Sequence, residues 1–282
     1  IKIAEGCNNF CAFCIIPKLR GRYRSRTMDH LLEEAKSLAD SGVKELIVIA
    51  QDITRYGTDL SGEHQLAKLL TELCKLDFHW IRLHYLYPEV ITDELIDTIA
   101  REKKIVHYLD IPIQHCNDGI LKAMRRRNTK VELEELFARL RKAIPDVVIR
   151  TSLICGLPGE GEAEFEELCE FLKEQKLQRA GVFQFSPEEG TLAEKMENQV
   201  DPDVAACRVE LVVDLQSRIM DSYNEERLGT VMEVLCEGFD AQAGCFAGRT
   251  YADSVEIDGR VLFTAAGAVP ALSLIHISEP TR

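Results

Sequence analysis

The chain has 282 residues, of which 46% are hydrophobic and 29% charged, which is typical of a globular protein with a sizeable core. Its formal net charge of −13 argues against nucleic-acid binding driven by the whole surface. We find no apolar run long enough to span a bilayer and no signal-peptide pattern. Most of the ten cysteines lie scattered in apolar or helical segments, which indicates reduced thiols and a cytoplasmic location.

Three cysteines lie close together near the start of the chain, at the spacing C-x3-C-x2-C. They are Cys7, Cys11 and Cys14, and no fourth cysteine follows at ligand spacing, since the next is Cys74. A structural zinc site and a ferredoxin-type cluster each need four protein ligands. The triad therefore predicts a 4Fe–4S cluster with one iron free to bind something else. A buried cysteine cluster and half of a zinc ribbon are the alternatives.

Helical and strand patterns alternate along the following part of the chain. The chain lacks an initiator Met and opens inside an apparent strand, from which we expect that a preceding region is missing. Later predicted strands cover residues 45–50, 80–86, 105–113, 147–155 and 181–185. Predicted helices cover residues 31–40, 64–76, 92–101, 117–124, 131–143 and 162–174, with Thr92 as an N-cap. Six strands with short helical connections predict an α/β fold with a parallel sheet, two strands short of a full barrel.

The pattern changes after residue 200. Residues 201–226 are predicted to form one long helix. Short β-type runs follow at 231–236, 245–251 and 260–264, separated by glycine-containing turns, and predict a small β-barrel. Its carboxylates outnumber its arginines, which favours docking of a basic protein. Residues 272–282 neither continue the strand pattern nor form an amphipathic helix, so we interpret them as a non-native tail outside the fold.

The cysteine triad, with the aromatic Phe13 directly before its last member, resembles the signature of the radical S-adenosylmethionine (SAM) enzymes. In that family the open iron binds the amino and carboxylate groups of SAM, which is then cleaved reductively. The resemblance implies a partial (β/α)6 radical-SAM barrel followed by a small all-β TRAM-like barrel. The expected domains are a barrel at 1–200, a connecting helix at 201–227, a truncated TRAM-like barrel at 228–270 and a tail at 271–282.

Two further segments resemble the methylthiotransferases within that family. They are residues 20–26 (RGRYRSR) and 151–160 (TSLICGLPGE). In these enzymes a second 4Fe–4S cluster, held by an N-terminal domain, takes part in sulfur delivery. That domain is not in this sequence, so the second cluster is expected on the missing part. We therefore expect SAM cleavage, but not complete methylthio transfer, from this chain alone.

The substrate is inferred from two segments, residues 50–57 (AQDITRYG) and 108–115 (YLDIPIQH). Both resemble the branch that adds a methylthio group to the β-carbon of an aspartate in the small-subunit ribosomal protein S-twelve. The transfer-RNA branch, which usually has other residue pairs at Gln51-Asp52 and Gln114-His115, is the alternative. The resemblance implies ribosomal protein S-twelve and an electron donor such as flavodoxin or ferredoxin as partners, with transfer RNA less favoured and no membrane partner.

Four residues besides the cysteines are expected at the SAM site. Phe13 would pack over the cluster or the adenine, and a turn at Gly156 would let the backbone approach SAM. Arg150 would pair with a carboxylate, and Gln51 would face the site from a strand end. The alternatives are core packing for Phe13, a plain turn for Gly156, a structural ion pair for Arg150 and a loop cap for Gln51.

Three further polar residues lie in or just after the predicted strands. His115 is a candidate acid or base, and His84 and Asp110 are interpreted as core polar groups. Two basic patches stand out against the acidic background. The first patch is interpreted as meeting an anionic cofactor or substrate; it consists of Lys18, Arg20, Arg22, Arg24 and Arg26. The second patch is interpreted either as functional or, equally, as a solvated face; it consists of Lys122, Arg125, Arg126, Arg127 and Lys130.

Overall fold

A computed structural model describes residues 1–278. The strands are β1 (Ala4–Glu5), β2 (Arg24–Ser25), β3 (Glu45–Val48), β4 (Trp80–Leu83), β5 (Ile105–Asp110), β6 (Val148–Cys155), β7 (Arg179–Gln184), β8 (Val231–Asp240), β9 (Cys245–Arg249), β10 (Val261–Phe263) and β11 (Leu274–Ser278). The helices are α1 (Ile16–Arg20), α2 (Met28–Asp40), α3 (Thr58–Ser61), α4 (Leu66–Leu73), α5 (Asp93–Arg101), α6 (Asp118–Ala123), α7 (Lys130–Ala143), α8 (Glu162–Gln175) and α9 (Pro202–Glu225). The predicted alternation of helices and strands is confirmed.

The central sheet is parallel and has the order β3-β4-β5-β6-β7. The first residues of the chain join its edge only through a bridge between Lys2 and Ile49, where the Ile3 amide donates to the Ile49 carbonyl at 2.9 Å. Directly afterwards β1 turns away to pair with β2. The expected six-strand sheet is therefore five strands plus one bridged segment, because the first strand leaves the sheet to form the cysteine loop.

Helices cover one face of this sheet through their apolar sides. In α5 the Thr92 side chain accepts a hydrogen bond from the Leu95 amide, as expected of an N-cap, and Leu95 and Ile99 are buried. From the strands, Ile81 and Leu109 point into the same core. In the described part of the chain no helix is both long enough and apolar enough to cross a membrane. The main hydrophobic core thus lies between the sheet and its helices.

The opposite face of the sheet receives the C-terminal module. Alternate residues of the strands, including Trp80 and Tyr108, pack there against Leu235 and Ala252. A parallel sheet with both faces covered needs apolar residues at successive positions, as the strand sequences have. The segment 250–258 packs on this face, where Tyr108 donates to Asp258 at 2.7 Å and Ser254 lies 3.0 Å from His84.

The C-terminal module is a four-stranded antiparallel sheet with the order β10-β9-β8-β11. Residues 1–278 show this open sheet where we expected a small, truncated β-barrel. The interpretation of residues 272–282 as a tail outside the strand pattern was wrong for 274–278, which form β11 and pair with β8 from Leu274–Leu235 to Ser278–Val231. The long strand β8 offers an edge whose backbone groups need partners, and Ile277 is buried there. Residues 279–282 lie outside the described residues.

Charged side chains join the two sheets. The Glu45 carboxylate accepts from Arg82 of β4 at 2.6 Å and from Arg249 of β9 at 2.7 Å. Most carboxylates of the module that favoured docking of a basic protein have partners within the chain: Glu233 with His79, Glu237 with Arg249, Asp240 with Arg260, Asp253 with Arg179, and Asp258 with Tyr108. These partners leave fewer free carboxylates on the module to attract a basic protein.

Candidate active site

The cysteine loop lies between β1 and α1 and is fixed by backbone hydrogen bonds. The Cys7 amide donates to the Gly21 carbonyl at 3.2 Å, and the Ala12 amide donates to the Met124 carbonyl at 2.9 Å. Gly6 begins the loop at φ +80°, where a Cβ would overlap the Arg22 carbonyl. Only glycine fits this turn without a backbone shift. The loop is thus held between the first hairpin and the end of α6.

The three thiols are free and partly exposed, so ligands can reach them. Burial raises the pKa of Cys7 to about 11, and the nearby Cys11 and Cys14 add to this effect. Burial also raises the pKa of Cys14. Within residues 1–278 no three His, Cys, Asp or Glu side chains surround a position for a single metal ion. Three thiols on one loop with no fourth ligand fit a cluster that keeps an open iron better than a closed zinc site.

Polar side chains attach the loop to the end of β3. Asn9 donates to the Asp52 carboxylate at 2.9 Å, and the Arg55 Nε donates to the Asn9 amide oxygen at 3.0 Å. Tyr23 donates to the Asp52 carbonyl at 2.8 Å. The neighbouring Gln51 has a buried Oε1 without a hydrogen-bond partner in the described structure. A buried acceptor left unpaired is costly, so this oxygen fits a site that a donor of a ligand completes.

A cleft of about 490 Å³ opens beside the loop. It is lined by Phe13 and Cys14 of the loop, by Gln114 beyond β5, and by residues of β6 and β7 that include Ser152 and Gln184. These positions lie at the carboxyl ends of the strands, where parallel α/β folds place their active sites. The cleft is therefore the place where a ligand would meet the cysteine loop.

The structure brings only some of the predicted residues to this cleft. Phe13 lines it and also packs on the apolar cluster around Leu157. Gln114 lines it with an unusual φ of +72°. Arg150 lies deeper, in an ion pair with Asp110 at 2.7 Å. The Gly156 amide donates to Glu160 at 2.9 Å. The roles assigned to Phe13, Gln51, Arg150 and Gly156 at a cofactor stay predictions.

The three other polar candidates are buried. His84 contacts Asp110 at 3.3 Å and Ser254 at 3.0 Å, which confirms that His84 and Asp110 are satisfied core groups. His115 has no exposed surface, and its Nε2 lies 3.5 Å from the Glu160 carboxylate. Burial raises the pKa of Glu160, but the nearby His115 and hydrogen bonds from the Gly156 amide and Arg208 outweigh it, so that the pKa lies below its usual value.

Sequence reasoning missed two side chains at Cys11. The Tyr87 hydroxyl lies 2.7 Å from the Cys11 Sγ. The Arg126 guanidinium stacks over the Tyr87 ring at 4.1 Å, and its Nη1 lies 3.9 Å from the same sulfur. Arg126 belongs to the second basic patch, which was interpreted equally as a solvated face. No sequence signal separates Arg126 from its neighbouring arginines, because its burial depends on the packing of α6 against the cysteine loop.

Gly156 is predicted to be essential for stability, because its φ is +83° and a Cβ would overlap the Ala205 side chain of α9. Gly156→Ala should cost about 2–4 kcal/mol of unfolding free energy, from the left-handed backbone and from overpacking. Gly159→Ala is the matched control, since Gly159 has φ +89° and a Cβ there would meet only Ile120 at 3.8 Å. Urea unfolding should show a loss of only about 1 kcal/mol for this control.

The double variant Gly156→Ala with Ala205→Gly tests the packing part separately. Removing the Ala205 methyl restores the space, so the double variant should approach the stability of Gly159→Ala. Equal losses for Gly156→Ala and Gly159→Ala would contradict the close contact with α9.

Comparisons with known proteins agree with this arrangement. A model of the Radical SAM superfamily matches residues 1–172. A protein of Caldanaerobacter subterraneus named ribosomal protein uS12 methylthiotransferase RimO is 50% identical over 262 residues, 93% of this chain and 59% of the relative. A protein of the same name from Lachnoclostridium phytofermentans is also 50% identical, over 93% of this chain and 60% of its own length. The chain thus spans about three fifths of the curated relatives it matches.

Solved structures share the fold at low sequence identity. Coproporphyrinogen III oxidase (HemN) from Escherichia coli, described as a radical SAM enzyme, superimposes with a TM-score of 0.57 at 15% identity, covering 93% of this chain and 65% of its own. The radical SAM methyltransferase TsrM from Kitasatospora setae gives a TM-score of 0.54 at 17% identity, covering 65% and 36%.

Proposed function

Because the chain belongs to the radical SAM superfamily, we propose that it is the barrel and C-terminal part of a methylthiotransferase that modifies ribosomal protein uS12. The observation that carries this proposal is the position of the cysteine loop, beside a cleft at the carboxyl ends of the parallel strands. The name shared by the relatives at 50% identity supports the proposal that uS12 is the substrate. The transfer-RNA branch, which was the alternative, is not favoured by these relatives.

The chain's own residues would hold and orient the cofactors. Cys7, Cys11 and Cys14 would bind a 4Fe–4S cluster, which together with SAM supplies the radical chemistry. Asn9 and Asp52 hold the loop rigid, which fixes the direction in which the thiols point.

Of the four predicted SAM residues, only Phe13 lines the cleft itself. Phe13 would pack against SAM, and the unpaired Gln51 oxygen would accept a hydrogen bond from it. Arg150 and Gly156 would act on SAM from the strand β6 and the turn that follows it. In this structure each already has a partner, Asp110 and Glu160 respectively, so binding would require them to share or exchange that partner.

The transfer itself needs more than this chain. A second 4Fe–4S cluster is proposed on the part of the relatives that this chain does not cover. The proposed acceptor is the β-carbon of an aspartate of uS12, the proposed reductant is a flavodoxin or ferredoxin, and the proposed location is the cytoplasm. The −13 net charge is easier to reconcile with a basic ribosomal protein than with transfer RNA.

Anaerobic reconstitution with iron and sulfide tests the proposal. We expect about four irons and four sulfides per chain. With SAM and a chemical reductant, the loaded chain should release deoxyadenosine but form no methylthiolated uS12, because the second cluster is absent. The same chain incubated with zinc instead of iron is the control. Stoichiometric zinc binding with no cluster, or a loaded cluster that does not cleave SAM, would contradict the proposal.

The substrate is tested with a full-length relative. Methylthiolation should appear on the uS12 aspartate and not on transfer RNA, as measured by mass spectrometry of both macromolecules. Modification of transfer RNA alone would assign the chain to the other branch.

A further inference from the structure

One of the three thiols has side-chain partners that the other two lack. The Cys11 Sγ lies 2.7 Å from the Tyr87 hydroxyl and 3.9 Å from the Arg126 Nη1. Within residues 1–278 the hydrogen bonds to the Cys7 and Cys14 sulfurs come from the backbone, such as the Asn9 amide at 3.5 Å from the Cys7 Sγ. The loop therefore offers an uneven environment to a cluster, with the polar side chains gathered at Cys11.

Both partners are held in place by burial. Tyr87 is 7% exposed and Arg126 is 6% exposed. Tyr87 directly precedes the 3-10 turn Pro88–Val90, and Arg126 follows α6. The Arg126 Nη2 donates to the Pro112 carbonyl at 2.7 Å, and the guanidinium stacks on the Tyr87 ring. Burial and these contacts fix both side chains beside the sulfur in this structure.

Arg126 forms no ion pair within residues 1–278. It contacts the Pro112 carbonyl, the Tyr87 ring and the Cys11 sulfur, its buried Nε has no hydrogen-bond partner, and the Glu89 carboxylate acts on it only at longer range. A buried arginine without an anion is unusual, because burial of an unpaired charge is costly. A thiolate-bound cluster at Cys11 would supply the missing negative charge.

We propose that Tyr87 and Arg126 are positioning residues that stabilise the reduced form of a cluster bound at Cys11, an inference that rests on the proposed function. One-electron reduction adds a negative charge to a cluster that already carries thiolate ligands. A hydroxyl donor and a cation next to one thiolate favour the more negative form and so raise the reduction potential. The electron comes from an external one-electron reductant, and no bond of the protein changes.

The midpoint potential of the reconstituted cluster tests this inference without reference to activity. It is measured by titration with titanium(III) citrate in the absence of SAM, followed by electron paramagnetic resonance. Tyr87→Phe removes only the hydroxyl, and Arg126→Met removes the charge and the donor to the Pro112 carbonyl with little change in bulk. Each should lower the ratio of reduced to oxidised cluster at a fixed potential about tenfold, which corresponds to a shift of 59 mV for one electron.

Two further variants serve as controls. Tyr108→Phe also deletes a buried tyrosine hydroxyl, but this hydroxyl donates to Asp258 in the interface with the C-terminal module. The midpoint potential of the cluster in this variant should therefore equal that of the wild type. Arg126→Lys keeps the charge and should recover part of the potential. If Arg126→Met does not load iron, Tyr87→Phe and Arg126→Lys decide the question.

The outcomes separate this inference from the proposed function. Fully loaded Tyr87→Phe and Arg126 variants with unchanged potentials would overturn the role of these side chains, whether or not the wild type cleaves SAM. A wild-type chain that loads a cluster but cleaves no SAM would refute the proposed function, while lower potentials in the variants would still support the effect at Cys11.

Discussion

Replacing Cys7, Cys11 or Cys14 by alanine should reduce the iron content of the reconstituted chain from about four per chain to nearly zero. Deoxyadenosine release should fall below detection. In the proposed site the three cysteines would hold the cluster together, and the loop has no fourth cysteine that could replace a lost thiolate. Iron and sulfide analysis, together with chromatography of the SAM products, measures both effects.

Cys207→Ala is the control for this prediction. Cys207 lies exposed on α9, and its loss should leave both the cluster and deoxyadenosine release unchanged. An alanine variant at Cys7, Cys11 or Cys14 that still holds four irons and cleaves SAM would show that other residues bind the cluster.

Replacing Glu45 by alanine should lower the unfolding free energy by about 3–5 kcal/mol, the usual cost of removing one partner of a buried ion pair. Glu45 is the shared partner of Arg82 and Arg249, and its side chain is only 6% exposed. Both guanidinium groups would lose this carboxylate, although Arg249 keeps Glu237. Urea-induced unfolding, followed by circular dichroism, measures the loss.

A second pair between the same two sheets provides the control. Glu233 contacts His79 at 2.8 Å, but its side chain is 32% exposed. Solvent screens such a pair, so Glu233→Ala should cost no more than about 1 kcal/mol. Similar losses for Glu233→Ala and Glu45→Ala would mean that burial of the Glu45 pair contributes nothing.

The Glu45 carboxylate also makes the unfolding free energy depend on pH. Burial raises the pKa of Glu45, but Arg82 and Arg249 outweigh it and hold the pKa below 4.5. The stability from this group is therefore fully present above pH 4.5 and is lost as the pH falls through the lower pKa of the folded state. Below pH 4.5 the stability of the wild type should fall more steeply than that of Glu45→Gln, as measured by urea unfolding at several pH values.

Much of the fold was predictable because it depends on local patterns. The apolar period of 92–101 and the Thr92 cap define α5 by themselves, and the continuous apolar run in β3 indicates a strand covered on both faces. Residues 274–278 were not predictable in this way. Their strand exists because β8 presents a free edge, and strand pairing between distant segments leaves no periodic signal in either of them.

The site was predictable only where residues close in sequence form it. The cysteine spacing indicated the loop and its chemistry, but Tyr87 and Arg126 lie 76 and 115 residues away from Cys11. Arg126 belongs to a run of arginines that the composition does not distinguish, and only the packing of α6 against the loop buries it. Arg150 had two equally supported roles in the sequence, and its ion pair with Asp110 depends on the alignment of β5 with β6.

The segment 250–258 limits how such enzymes can be recombined. It pairs Asp253 with Arg179 and Asp258 with Tyr108, while Arg249 reaches Glu45. A chimera joined at residue 227 would separate each of these partners and leave charged groups of the barrel facing a foreign surface. To exchange the C-terminal sheet between relatives, its partner residues on the parallel strands must therefore be exchanged with it. The smallest unit that can be transferred is larger than the C-terminal domain defined from the sequence.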